Sequence, residues 1–270
     1  MQLSAVLASP FVLPSIPRVV ALLLSELERE EADLKKITQL ISQDPALTIR
    51  LMQLSNSGYF RMSGRVNSVS ECLAIVGLSH VRTMTNASAT KASLRAVVGI
   101  NLQQYWSYSL DVAKVSRSLA GVVRQNQQAA FTAGMIHYVG EIVLRLLMPT
   151  EMARLDSDLP ALDARRAKAE RRLFGFNYAE VGAGLARQWL FPEPIIDALA
   201  CQDTPFLDNA YEPLAGVLHL AAWRGRSKDA GLNQREMAVT FPGSVGDVLS
   251  LDIDMVLQQD PIDWSSPRSR

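Results

Sequence analysis

Three histidines, two cysteines and a scatter of carboxylates are the side chains of this 270-residue sequence able to bind metal or move protons near neutral pH. His80, His137 and His219 stand far apart, and none has a carboxylate beside it in the chain. A lone histidine in an apolar context is more often a hydrogen-bonded core residue than a ligand, so all three take the structural reading. Cys72 and Cys201 form no CxxC pair, which removes zinc-ribbon, thioredoxin-like and disulfide-framework chemistry and makes a reducing compartment the simplest fit. Serines are plentiful, but no GxSxG elbow in a strand-turn-helix context exists to activate one. The run Arg165–Arg172 holds five basic residues and one acidic residue, Glu170. It could touch phosphate or an acidic partner, but a solvated helix face is the preferred reading. Asp247 to Asp263 contains five aspartates and no Lys or Arg, so the two charge blocks could meet within or between subunits.

The elements that must position these side chains read as helices. Asp33 is a good N-cap for Leu34, Ile37, Leu40 and Ile41, and Asp44 caps a helix whose first position is Pro45 and whose face carries Leu47, Leu51 and Leu54. Ser68 and Glu71 form a capping-box pattern ahead of Val69, Leu73 and Val76, with Gly77 as the stop. Helical patterning continues over 101–126 and again over 128–147; Asn177 to Glu180 is another box, and Glu193-Pro194 opens a further short helix. Met62, Met84, Met135, Met148 and Met152 sit in these patterns as gap fillers. Period-2 alternation and hairpin turns are wanting, so the expected fold is all-α, with ten or so short helices.

Composition narrows the rest. Twenty-seven basic residues balance twenty-seven acidic ones, which argues against the broad positive field that non-specific nucleic-acid binding needs. Hydrophobic residues make up 48%, enough for a self-supporting core. The N-terminus lacks the basic start of a secretory signal, and no uninterrupted apolar run approaches the roughly 20 residues of a membrane span, so a soluble, cytoplasmic protein is expected.

Three stretches, read in order, resemble the HDOD domain, a bacterial signalling relative of HD-type phosphohydrolases. The first comprises Leu13-Pro14-Ser15-Ile16-Pro17, Asp44-Pro45-Ala46-Leu47 and Asn56-Ser57; the second is Ser68 to Leu78; the third runs from Ala133-Gly134-Met135-Ile136-His137 to Phe174-Gly175-Phe176-Asn177-Tyr178-Ala179-Glu180-Val181-Gly182. The likeness spans about residues 11 to 225. It implies a multi-helix bundle in which an N-terminal helical subdomain (1–98) packs on an HD-like subdomain (99–227), with an acidic extension (228–270) against them. Weak boundaries near 95 to 101 and after 227 agree with that division.

The resemblance also implies a metal cradle whose positions can be compared one by one. Where the superfamily carries its first histidine this chain has Tyr108, within Trp106-Ser107-Tyr108-Ser109; the His-Asp pair corresponds to His137-Tyr138; the distal aspartate corresponds to Ala222, after His219-Leu220-Ala221; and a further family histidine corresponds to Tyr178. Only His137 of the ligand set remains. A phenol with a pKa near 10 is a poor ligand at neutral pH, and without a carboxylate nothing neutralises the ion or orients its water. The expectation is therefore no metal, no cofactor and no hydrolysis, with aromatic bulk filling the cradle.

A non-catalytic regulatory module follows, acting by contact with other signalling proteins, with no nucleic acid, no membrane and possible self-association. Little room remains in 270 residues for a receiver, kinase or cyclase segment. Two alternatives stay open: a divergent metal-dependent phosphohydrolase or cyclic-dinucleotide phosphodiesterase recruiting Asp203 or Glu141, and a nucleotide sensor that does not hydrolyse.

Overall fold

The computed structural model describes residues 1–60, 64–92, 97, 99–207 and 211–259. Met62, Asp260, Asp263 and part of the expected 95–101 boundary lie outside them. The described residues contain helices and no strands, so the all-α expectation holds, but with seventeen helices in place of ten or so.

The N-terminal part comprises α1 (Leu3–Ala8), α2 (Pro17–Leu27), α3 (Leu34–Ile41), α4 (Pro45–Ser55), α5 (Val69–Val76) and α6 (Leu78–Ala92). Asp33 accepts from the amides of Lys35 and Lys36, and Asp44 from those of Ala46 and Leu47, as their cap positions predict. Asp44 does more than cap. Its second oxygen accepts from Ile16 N at 2.7 Å, while Arg50 donates to Leu13 O and to the hydroxyls of Ser15 and Ser88. The proline segment is thereby fastened to α4, which gives the co-occurrence of the two motifs a physical reason. Burial pushes the Asp44 carboxyl up to about 6 against those amide donors. At α5, Ser68 accepts from Glu71 N, but Glu71 returns to Asn67 N, one residue before the expected partner. Gly77, with φ of +77°, turns the chain directly into α6.

The larger part comprises α7 (Leu102–Val122), α8 (Gln127–Ile136), α9 (Val139–Leu147), α10 (Pro149–Asp158), α11 (Arg166–Phe174), α12 (Tyr178–Gln188), α13 (Glu193–Cys201) and α14 (Pro213–Asp229). The expected single helix over 128–147 is two helices broken at His137-Tyr138. Close packing flanks the break. A Cβ on Gly134 would lie 2.5 Å from Ala113 Cα, and one on Gly140 would lie 2.0 Å from Tyr178 O, so α8 packs closely on α7 and α9 on α12. The stretch Gln127–Leu147 is long and apolar enough to cross a membrane, yet 83% of its most apolar window is buried in this core.

Beyond α14 come α15 (Gln234–Thr240), α16 (Gly243–Leu249) and α17 (Ile253–Leu257); α16 and α17 pack on α14, where Arg224 donates to Leu257 O. The two larger parts meet along a seam. Leu7 of α1 fits over Gly184, Phe11 lies 6.5 Å from Trp189, Gly64 N donates to Leu190 O, and Thr132 Oγ1 donates to Asn67 O at 2.6 Å.

Candidate functional site

The corner between α8 and α9 places His137 and Tyr138 where α7, α12 and α14 converge. Tyr108 of α7 lies 5.2 Å from the His137 ring and 6.0 Å from Tyr138; Tyr178, at the first turn of α12, lies 4.6 Å from Tyr138; Tyr105 adds a fourth phenol at 5.5 Å. The Tyr108 hydroxyl reaches Ala222 O of α14 at 3.4 Å. Tyr108, His137, Tyr138, Tyr178 and Ala222 are thus brought together, and all five are buried.

The chemistry available there is set by burial. His137 Nδ1 bonds to Gly134 O at 2.7 Å, and its buried Nε2 has no protein partner. Burial pushes the imidazole down to about 3, so it stays neutral. The hydroxyls of Tyr108, Tyr138 and Tyr178 are all pushed up by burial and stay protonated. Tyr138 donates to Ala161 O. His219 joins through Gln202, whose carbonyl contacts His219 Nδ1 at 2.7 Å and whose amide donates to His137 O. His80 stands apart, with Nδ1 on Val76 O.

Arg226 went unrecognised in the sequence. It lies one turn beyond Ala222 on α14, and its guanidinium interacts electrostatically with the phenols of Tyr108, Tyr138 and Tyr178. A signal existed, because 219, 222 and 226 share one helix face. A guanidinium is a permanent cation, so it contributes at this place the charge that a metal would and repels a second one.

A second cluster adjoins the phenols. Glu141 accepts from Arg145 and Arg166, Arg166 also pairs with Glu170 at 3.1 Å, and both arginines hold Asp156. Burial and the nearby Glu141 push the Glu170 carboxyl well up. Arg166 is therefore a buried tie, the exception in a run whose other basic residues, Arg165, Lys168, Arg171 and Arg172, are solvated as read; Arg165 pairs with Asp163 and Arg171 with Glu180. Glu141, one of the alternative ligands, gives one oxygen to the two arginines, and its other oxygen is buried without a hydrogen bond. Asp203 feels Arg226 and Arg171, and burial pushes its carboxyl up.

The residues present do not fit a divalent ion. Around the free nitrogen of His137 stand neutral phenols and a cation, and among the described residues no three His, Cys, Asp or Glu side chains form a ligand group.

Comparison with known proteins bears on the same elements. The HDOD domain matches residues 13–205, which reaches the phenols of α7, α9 and α12 and stops before α14, short of the expected 225. A protein of Treponema pallidum is 25% identical over 212 residues, covering 77% of this chain but only 41% of its own length. A crystal structure of a fragment of the MmoQ response regulator from Methylococcus capsulatus is 27% identical, covers 90% of this chain and 94% of that one, and superposes with a TM-score of 0.71. An HDOD domain protein of unknown function from Geobacter sulfurreducens shares the fold at 21% identity and a TM-score of 0.51, covering 95% of this chain and 91% of that one. With that match over most of its length, the chain belongs to the HDOD family.

Proposed function

We propose that this chain is a non-catalytic signalling module that works by protein contact. The observation that carries this reading is the aromatic cradle: the His137 ring lies against those of Tyr108 and Tyr138, where a hydrolase would need carboxylates. The MmoQ relative, described as a response regulator, supports a place in signal transduction. Free Cys72 and Cys201 agree with the reducing cytoplasm.

The test is elemental analysis after incubation with manganese, ferrous iron or zinc and desalting, combined with turnover of bis(p-nitrophenyl) phosphate and of a cyclic dinucleotide. The expected result is background metal and no turnover. Stoichiometric metal with diester cleavage that is lost in His137→Ala would overturn the proposal and restore the phosphodiesterase reading.

A further inference from the structure

A long groove lies along the seam, away from the phenol cluster. It encloses about 1360 Å³, with α3 and α5 forming one wall and α7 and α8 the other. Its floor is apolar, made by Leu73, Leu78, Leu110 and Phe131. Leu34 at its edge is 55% exposed.

Charge on the rim is one-sided. Lys35 and Lys36 stand on the α3 wall, and Lys114 and Arg117 on the α7 wall. Asp33 is the single acidic side chain of the lining, and its carboxylate is engaged by the first amides of α3. Lys36 also reaches Glu26 at 2.7 Å, and Arg117 lies over Phe131 at 5.5 Å. The chain as a whole has zero formal charge, so this surplus is local. The N-termini of α3, α5 and α8 open onto the same groove and add partial positive charge.

We infer that this groove receives an amphipathic helix of a partner protein, with carboxylates flanking both sides of its apolar stripe. The inference rests on the contact reading above and names the kind of partner. The enclosed volume exceeds the roughly 300–1,000 Å³ of small-molecule pockets. It corresponds to about three turns of a helix some 10 Å across. No strand edge borders the groove among the described residues, so strand addition has no template there, and an apolar floor between helical walls suits helix-in-groove docking. Cations on both walls require acids on both sides of the guest.

The test uses fluorescence anisotropy on the full chain with two synthetic amphipathic peptides that share a leucine face, one flanked by Glu and the other by Lys. The Glu peptide is expected to bind at least about tenfold tighter than the Lys peptide, with an affinity that falls as salt rises. Lys35→Glu combined with Lys114→Glu balances two introduced acids against Lys36 and Arg117 and should abolish the preference. Lys35→Glu alone is a folding-safe variant, since an acid at a helix N-terminus is favourable, and it should weaken the Glu peptide several-fold. Equal affinity for both peptides, or indifference to Lys35→Glu, overturns the inference. So does a concentration-dependent dimer that excludes the peptide, which would assign the groove to a second copy. None of these outcomes alters metal content or turnover, so a failure here is distinguishable from a failure of the contact reading.

Discussion

At the residue scale, His137 shows how burial turns a potential ligand into a stability element with a defined pH dependence. Its ordinary value of 6.5 is pushed down to about 3, chiefly by desolvation, with the Gly134 carbonyl opposing and Arg226 assisting. The unfolded chain therefore takes up a proton below pH 6.5 that the folded chain refuses, so stability falls as pH drops from 6.5 toward 3 and is unaffected above. Between pH 6.5 and about pH 5 the histidine accounts for about 1–2 kcal/mol. His219 is pushed the same way and contributes in the same window, so the readout is a difference between proteins. Urea unfolding across this range should show a shallower slope for His137→Gln, whose amide can still serve the Gly134 carbonyl but does not titrate. An unchanged slope would mean that His137 is protonated in the fold, returning the cradle to an open, hydrated state.

At the element scale, the crossing of α9 over α12 holds the phenols together, and Gly140 is its closest point. A Cβ there would meet Tyr178 O at 2.0 Å and Gly182 N at 2.9 Å, all backbone, so neither partner can yield without moving a helix. Gly140→Ala is expected to cost about 1–3 kcal/mol in denaturant titration. Gly58→Ala, with nothing within 4 Å and no left-handed φ, should be neutral or slightly stabilising. Equal behaviour of the two would show that α9 and α12 are not in backbone contact. The same elements explain what could be read in advance. Asp33, Asp44 and the Asn177–Glu180 box are local devices, so their helices start where the residues say. The helix α6 escaped notice because LSHVRTMTNASATKA carries little apolar periodicity and several β-branched or hydroxyl residues; its place is fixed by packing on α2. The break at His137-Tyr138 escaped for the converse reason, since the apolar pattern runs straight through it. The convergence of Tyr108, His137, Tyr138 and Tyr178 followed from family resemblance. Arg226 and the Arg166 tie depend on tertiary placement that spacing alone does not specify.

At the scale of the whole molecule, the groove has meaning only if its two walls belong to one cooperative body. The seam supplies several independent ties: Leu7 seated on Gly184, the Phe11 and Trp189 rings, the Gly64 to Leu190 backbone bond and the Thr132 to Asn67 bond. Separating the parts would expose the apolar surface of α1 and α4 and leave buried polar groups without partners, a cost that favours a single transition. Two probes sit on opposite sides. Cys72 of α5 is buried, its thiol pushed up to about 12 by desolvation, and it should react with a thiol reagent only after the N-terminal helices open. Trp106 and Trp223 are buried among the later helices and report their opening by fluorescence. The thiol-reactivity and fluorescence curves are expected to coincide in urea. In Phe11→Ala, which removes one side of the Trp189 contact, both should shift together to lower urea. If the Cys72 curve instead moves alone, the N-terminal helices form a separately melting unit, and a helix seated between the walls would stabilise their docking rather than the fold as a whole.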